Sequence, residues 1–171
     1  MNARGVERGR DHPQIWGLEQ RITMKAAHRL ATPGDASRLF ELRRRSIIAL
    51  APKGMSETEA HAWAATLTVP GMQRKIRDLE IWVAEVNDRV VGWGGIRGDR
   101  LEGLYTDPDF AGRGIGTELL GLLEASMRRR GIPAVFAEAS ANAERFYFRR
   151  GYEPIGARTP EGAQPIKKRL L

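Results

Sequence analysis

The chain has 171 residues, 42% of them hydrophobic and 29% charged, with a formal net charge of +7 and no cysteine. This length suits one domain with a sizeable core, and the apolar residues form neither a membrane-spanning run of about 18 residues nor the apolar stretch of a secretory signal. Without cysteine there are no disulfides, no thiolate metal ligands and no covalent cysteine intermediate. The lack of cysteine fits a reducing compartment, so we expect a cytoplasmic protein. Because no long apolar run is present, we expect it not to bind membranes.

The N-terminal stretch of residues 1–20 mixes Arg, Gly, Asp and Pro without periodicity. Because such a stretch has no apolar face to bury, we interpret it as a flexible extension of a single domain over residues 21–171. Met24 is a candidate for an alternative start of the chain, and the sequence alone does not decide between Met1 and Met24. The run that begins there, over residues 24–32, predicts a first strand.

Two helices are predicted next. The first lies within residues 31–50, where apolar residues recur at helical spacing and Asp35 stands at the cap position. The second lies within residues 56–67, where Ser56 and Glu59 have the spacing of a capping box. We expect the proline and glycine of "VPGM" to end this helix, with one or two further helical turns before the sheet.

Three β-rich runs follow these helices. "IWVAEV" and "RVVGWGGI" are joined by "NDR" and predict a hairpin. "RLEGLYT" predicts a third strand, with side chains that alternate between its two faces. Together the three runs predict a β-meander.

The most regular helical pattern comes after the meander and ends at Gly131. Its predicted buried face consists of Ile115, Leu119, Leu122, Leu123 and Met127. "PAVFAEAS" is apolar enough for a central strand, "NAERFYFRR" predicts a helix that ends at Gly151, and "YEPIG" and "PIKKRLL" predict closing strands. This order of elements predicts one mixed α/β domain.

Glycine recurs at alternate positions, Gly112, Gly114 and Gly116, where the third strand leads into this helix. The first turn of a helix offers free N–H groups and the positive end of the helix dipole, and glycine lets a ligand approach the backbone closely. The loop therefore predicts a phosphate site, with a diphosphate as the best match. The spacing fits neither the P-loop nor the Rossmann pattern, because Thr117 and Leu119 stand where the latter needs glycine.

The segment "LYTDPDFAGRGIGTELL" resembles the acetyl-CoA-binding signature of the GNAT superfamily of N-acetyltransferases. Gly114 and Gly116 match the two small positions of that signature, whereas Ala111 stands where the family usually has Gln or Arg. "ASANAERFYFRRGYEPIG" resembles the last long helix and the following strand of the family's core. The resemblance covers residues 24–157 and is strongest over residues 101–152.

This resemblance implies a GNAT-like acyl-CoA N-acyltransferase fold, with a central, mostly antiparallel sheet, a splayed pair of strands and flanking helices. It also implies that an amine attacks the thioester of acetyl-CoA directly, in a ternary complex. The leading expectation is an enzyme that acetylates a small primary amine. The alternatives are acetylation of a protein N-terminus or lysine, and a CoA-binding regulatory module without catalysis. A homodimer is a further expectation from the family.

The resemblance also implies where acetyl-CoA binds. The pantetheine arm is expected to pair with the backbone of Leu104, Tyr105 and Thr106. The diphosphate is expected to accept from the N–H groups of Gly112, Arg113, Gly114, Ile115, Gly116 and Thr117. The Arg113 side chain either adds a charge for the phosphates or is a solvated loop arginine. Asn142 and Tyr147 match cofactor-contacting positions, and Asn142 is otherwise a helix cap.

Leu104, Tyr147 and Glu102 are the candidates for the chemistry. The Leu104 N–H matches the donor to the developing oxyanion. Tyr147 falls on the family's general-acid position and is otherwise a packed aromatic residue; a phenol is a suitable acid because its ordinary pKa is near 10. Glu102 lies two residues before Leu104, so we expect both side chains on one face of the strand and Glu102 as general base, or else as an exposed carboxylate. Glu85 is a second candidate for the base.

The acceptor pocket is expected between the first two helices and the hairpin, which carry Trp63, Trp82 and Trp93. The helical pattern around Trp63 favours packing in the core. No metal site is expected, because His28 and His61 have no partners at metal-ligand spacing.

The basic residues form short clusters, at residues 43–45, 128–130, 149–150 and 167–169. No zinc-finger spacing or basic zipper accompanies them, so no nucleic-acid partner is expected. We interpret the clusters mainly as solvated faces, with a smaller role in attracting a polyanionic cofactor.

Overall fold

The computed structural model describes residues 25–50 and 55–171, so the expectations for residues 1–20 and Met24 lie outside the described residues. The strands are β1 Ala27–Leu30, β2 Glu80–Val86, β3 Arg89–Arg97, β4 Arg100–Thr106, β5 Ala134–Ala139, β6 Glu153–Pro154 and β7 Gln164–Arg169. They form one sheet in the order β1-β2-β3-β4-β5-β7-β6. Each neighbouring pair is antiparallel except β4 and β5, which are parallel. The predicted mixed, mostly antiparallel sheet is confirmed.

Helices cover both faces of this sheet: α1 Ala36–Ala49, α2 Glu57–Ala64, α3 Val69–Asp78, α4 Ile115–Arg129 and α5 Glu144–Phe148. α1 and α3 pack on one face, where Leu39 and Trp93 are buried. α4 packs on the other face through Leu119 and Leu120, whereas Leu122, predicted to be buried, is only half-buried. None of the helices in the described stretches is long and apolar enough to cross a bilayer.

Two glycines of β3 let α4 lie close to the sheet. A Cβ atom on Gly92 would stand 2.6 Å from Cγ2 of Ile115, and one on Gly94 would stand 2.7 Å from Cδ1 of Leu123. Larger residues at these positions push the helix outward, because close-packed interiors do not tolerate such contacts. The two glycines therefore set the height of α4, and with it the position of the glycine loop that precedes the helix.

Several local predictions are confirmed. Asn87 and Asp88 have φ angles of 49° and 59° and form the two-residue turn between β2 and β3, as a type I′ hairpin requires. The side chain of Ser56 accepts from the N–H of Glu59, and the Glu59 carboxylate accepts from the N–H of Ser56, which completes the capping box of α2. Gly131, with a φ of 72°, follows the end of α4.

The expectation for "VPGM" is wrong, because this segment begins a helix. Thr68 is the N-cap of α3, and its side chain accepts from the N–H of Gly71 at 3.1 Å. Pro70 lies in the first turn of α3, where backbone N–H groups have no intrahelical acceptor. The lack of an N–H group in proline therefore costs no hydrogen bond there. A threonine two residues before a proline is thus a start signal for a helix.

Asp35 does not cap α1 with its side chain. Its carboxylate accepts from the N–H of Thr32 at 2.7 Å and from both terminal nitrogens of Arg29, at 2.8 and 2.9 Å. The hydrogen bonds from Arg29 have the largest effect on the pKa of Asp35, which is lowered to about 2. Arg29 also binds Glu85 on β2, at 2.7 Å, so these side chains tie β1, β2 and the start of α1 together.

We expect the substitution Asp35→Asn to reduce the free energy of unfolding by about 1–2 kcal/mol at pH 7, since Arg29 is partly exposed. The pKa of Asp35 is lower in the folded chain than in the unfolded chain, so its contribution is present above pH 4 and disappears as the pH falls towards 2. Denaturant unfolding of both proteins at several pH values tests this. Asp78→Asn, which breaks an exposed ion pair with Arg77, is the control and should change little. A difference for Asp35→Asn that persists at pH 2 contradicts the assignment.

Candidate active site

β4 and β5 diverge after a single register pair, Arg100 with Phe136. Beyond it, β4 pairs with β3 only, so the backbone groups on its other edge face the gap between the strands. A cleft of about 960 Å³ opens there, lined by β4, β5, α2 and the start of α5. An extended chain placed in this gap finds strand-like partners at Leu104 and Thr106, two of the three residues of the predicted pantetheine site, whereas the backbone groups of Tyr105 face β3.

Tyr147 lies in α5 and lines this cleft, although only 7% of the residue is exposed. Its hydroxyl has no hydrogen-bond partner among the described residues, while the rings of Phe146 and Tyr152 pack edge-on against it at 5.2 Å. Burial, followed by the interaction with Tyr105, raises the pKa of Tyr147 well above its usual value. The side chain is therefore a protonated phenol beside the cleft, with its hydrogen-bonding capacity unused.

Glu102 occupies a β-bulge in β4. Gly95 of β3 pairs with Gly103, whereas the next residue, Ile96, pairs with Leu101, so Glu102 is the extra residue. The expected side-by-side placement of Glu102 and Leu104 is wrong for this reason. Leu104 packs towards α4, and Glu102 lines a second cavity on the face that α1 and α3 cover, while still bordering the cleft.

Two other predicted residues lie apart from the cleft lining. Glu85, the second candidate for the base, is bound to Arg29 on the β1 side of the sheet. Asn142 precedes α5 without capping it: its amide donates to the carbonyl of Leu50, and its oxygen accepts from the hydroxyl of Ser140 at 2.6 Å. Ser140, two residues earlier, lines the cleft instead. A cofactor contact by Asn142 stays a prediction.

The glycine loop has the geometry of an anion site. Gly112 and Gly114 have φ angles of 74° and 86°, and a Cβ atom on either would project into open space. Gly114 is the N-cap of α4, and the first intrahelical bond runs from the N–H of Glu118 to its carbonyl. In the described part of the chain, the N–H groups of Ile115, Gly116 and Thr117 have no acceptor, as expected for a first helical turn. These donors fit a phosphate group.

Arg150 brings a cation to the same place; the sequence predicted a role in attracting a polyanionic cofactor only for its basic cluster as a whole. Its guanidinium donates to the hydroxyl of Thr117 and to the carbonyl of Phe146, the latter at 2.7 Å, and stacks 3.7 Å from the centre of the Phe146 ring. Arg113 stacks over Phe110 at 5.3 Å. Phe146 and Arg150 are four residues apart, a spacing at which side chains meet on a helix. This spacing was the feature of the sequence that could have predicted their contact.

Three arginines meet at Asp107, whose side chain is fully buried directly before the loop. Arg38, Arg45 and Arg89 donate to one carboxylate oxygen at 2.6, 3.0 and 3.0 Å. Burial opposes ionisation of Asp107, but the bond from Arg38 and the neighbouring charges outweigh it, so the pKa of Asp107 is lowered. The cluster fixes the turn from β4 to the glycine loop. The interpretation of residues 43–45 as a solvated face is therefore wrong for Arg45, and also for Arg43, which is buried.

The far wall of the cleft comes from α2, through Glu59, Ala62 and Trp63. Trp63 thus lines the cleft, and the expected place in the core is wrong. Trp93 is fully buried between β3 and α1 and donates to the carbonyl of Leu39 at 3.1 Å. One side of the cleft is therefore bounded by α2.

The sequence model of the acetyltransferase (GNAT) domain matches residues 52–163, more than half of the chain. The chain belongs to the GNAT acetyltransferase family. The splayed strands and the glycine loop described above are the parts of this GNAT domain that suit acetyl-CoA, and the enzyme is an acetyl-CoA-dependent acyltransferase.

Individual relatives agree with this assignment. The chain is 26% identical over 123 residues to the uncharacterized N-acetyltransferase YafP of Escherichia coli K12, covering 72% of this chain and 78% of that protein. A GCN5-related N-acetyltransferase from Rhodopseudomonas palustris is similar in structure with a TM-score of 0.78 and 26% identity, over 84% of this chain and 95% of that one. The PaiA N-acetyltransferase from Thermoplasma acidophilum, solved with coenzyme A, shares the fold with a TM-score of 0.74 and 20% identity, over 85% and 99% of the two chains.

Proposed function

We propose that this enzyme transfers the acetyl group of acetyl-CoA to a primary amine of a small molecule, by direct attack in a ternary complex. The observation that carries the proposal is the buried phenol of Tyr147 beside the cleft between β4 and β5, whose hydroxyl has no hydrogen-bond partner among the described residues. Acetyl-CoA supplies the activated acetyl group. The absence of cysteine leaves no thiol for an acyl-enzyme of the cysteine type.

Three residues of the chain take part in the acetyl transfer: two move protons, and one stabilises the developing negative charge. Glu102 accepts the proton of the substrate ammonium, directly or through water, from its place at the border of the cleft. The N–H of Leu104 donates to the oxygen on which negative charge develops. Tyr147 donates its proton to the departing sulfur, and its raised pKa keeps that proton in place at neutral pH.

The cofactor is held by the edge of β4 and by the start of α4. Leu104 and Thr106 offer backbone groups to the pantetheine arm, whereas the backbone groups of Tyr105, between them, face β3. The diphosphate lies at the N–H groups of residues 112–117, and Arg150 adds a positive charge beside Thr117. Arg113 contributes its backbone and its side chain to the same site.

A small acceptor is supported by the wall that α2 builds along the cleft. Met55, Glu59, Ala62 and Trp63 stand opposite β4 and β5 and narrow the space beside Glu102. A peptide acceptor needs an open groove along which several residues extend, and this wall leaves less room for one.

A thiol-release assay with acetyl-CoA tests the proposal. We expect CoA release that depends on added amine, and mass spectrometry should show the acetylated amine as product. The assay uses a panel of small amines, amino acids and peptides with free N-termini or lysines. Turnover of peptides alone contradicts the small acceptor, and tight CoA binding without turnover of any amine indicates a non-catalytic CoA-binding module.

We expect Glu102→Gln to lower kcat/KM by about 10²-fold at pH 7 and to flatten the rise of the rate with pH, because an amide accepts no proton. The measurement is a pH–rate profile of kcat/KM for the amine at saturating acetyl-CoA. Glu138→Gln is the matched control, since Glu138 also borders the cleft from β5. If the profile of Glu102→Gln matches the wild-type profile, then water or another group, and not Glu102, accepts the proton of the substrate ammonium.

A further inference from the structure

A second cavity of about 220 Å³ lies next to the cleft, on the face of the sheet that α1 and α3 cover. Thr66, Glu102 and Tyr105 line both, so a molecule in the second cavity lies beside Glu102. Arg43 and Lys75 also line it. The cavity therefore combines one carboxylate with two cations, a surplus of one positive charge.

Arg43 is a buried cation without a counter-ion in the described residues. Only 8% of the residue is exposed. Its terminal nitrogens donate to the carbonyl of Ala64 at 3.2 Å and to the hydroxyl of Thr66 at 3.0 Å, and its guanidinium lies 5.7 Å from the centre of the Tyr105 ring. Both acceptors are neutral. A guanidinium taken out of water without an anion is costly, so the site favours an anion from outside.

Lys75 adds a second cation from α3 and likewise has no carboxylate within 4 Å in the described part of the chain. Glu102 has no ion-pair partner there either. No two of these three charged side chains form an ion pair with each other, although all three line one small cavity. A ligand that carries both an amine and an anion satisfies them together: its ammonium faces Glu102, and its anion faces Arg43 and Lys75.

We propose that the acceptor is an amino acid or a similar small amine with a carboxylate, bound with its acid group between Arg43 and Lys75 and its amine at Glu102. This inference rests on the proposed function for the acetyl transfer itself. The carboxylate site, however, exists in the chain without acetyl-CoA. The unmodified N-terminus or lysine side chain of a protein lacks such a neighbouring carboxylate, which separates the two acceptor classes.

The test compares amines that differ only in the acid group. The probes are glycine, β-alanine and 4-aminobutyrate, each paired with its primary amide, titrated by calorimetry into the full chain with and without saturating CoA. We expect at least one carboxylate to bind about tenfold or more tightly than its amide, as a charge-assisted bond predicts. The ratio of kcat/KM values for acetylation of the same pair should follow.

Lys75→Gln should reduce this preference about tenfold, because it removes one of the two cations. Among the described residues, the Lys75 side chain makes no hydrogen bond or ion pair that the substitution would break. Arg74→Gln removes the same charge from the adjacent, exposed position of α3 and should keep the preference. Amides that bind as tightly as their acids, or no binding by either series, overturn the inference. Failure of the chain to bind CoA while the acids bind counts against the proposed function alone.

Discussion

Replacing Tyr147 with phenylalanine should lower kcat by about 10²–10³-fold while changing the KM for acetyl-CoA much less. The expectation follows from general-acid catalysis, which typically contributes 10²–10⁴-fold, and from the position of this phenol beside the cleft with no other partner for its hydroxyl among the described residues. Stopped-flow or steady-state measurement of CoA release gives both constants. A kcat within threefold of the wild-type value removes Tyr147 from the chemistry.

Tyr152→Phe is the matched control, because it deletes the same atom from a neighbouring buried ring. The hydroxyl of Tyr152 donates to the buried carboxylate of Glu124 at 3.1 Å, and Lys168 donates to the same carboxylate. Its loss should reduce the free energy of unfolding by about 1–3 kcal/mol and leave kcat nearly unchanged. Tyr147→Phe should lower kcat and leave the free energy of unfolding nearly unchanged, since no residue in the described ranges 25–50 and 55–171 bonds the Tyr147 hydroxyl.

The pH dependence adds an independent check on Tyr147. Burial raises the pKa of this phenol above its ordinary value near 10, so its proton remains available throughout the mildly alkaline range. We therefore expect no fall in wild-type kcat between pH 8 and 10 from ionisation of Tyr147. A clear fall in that range that disappears in Tyr147→Phe contradicts the raised pKa.

Short-range patterns carried most of the correct predictions. The hairpin turn at Asn87 and Asp88, the capping box of α2 and the end of α4 at Gly131 each depend on a few adjacent residues with special backbone or side-chain chemistry. The glycine loop belongs to the same class, because its free amides follow from the start of any long helix. Such features are readable from sequence since they need no knowledge of distant neighbours.

Long-range contacts account for what the sequence did not reveal. The bulge at Glu102 arises from the pairing of β3 with β4, and it moved a candidate base to the opposite face from the one that simple alternation indicates. Arg43 and Arg45 are adjacent to Arg44 in one basic cluster, yet one enters a cavity and another binds Asp107, 62 positions away. A charged residue's partner depends on tertiary packing, which a local pattern does not encode.

The substitution Gly114→Glu should raise the dissociation constant for CoA by at least about 100-fold. A side chain at this position projects into the open space above the loop, and a carboxylate there opposes a diphosphate by both bulk and charge. Loss of two charge-assisted hydrogen bonds, each contributing about 1.5–3 kcal/mol, accounts for a change of this size. Calorimetric titration with CoA measures it directly, and an unchanged dissociation constant places the diphosphate elsewhere.

Backbone strain is the competing explanation for such a loss, and the other end of α4 controls for it. Gly114 has a φ of 86°, so any side chain there is strained. Gly131 has a φ of 72°, also faces open space and lies after the last turn of α4, away from the loop. Gly131→Glu should therefore lose stability to a similar extent but keep its affinity for CoA. Equal loss of affinity in both variants means that strain on α4, rather than the amides at its start, governs CoA binding.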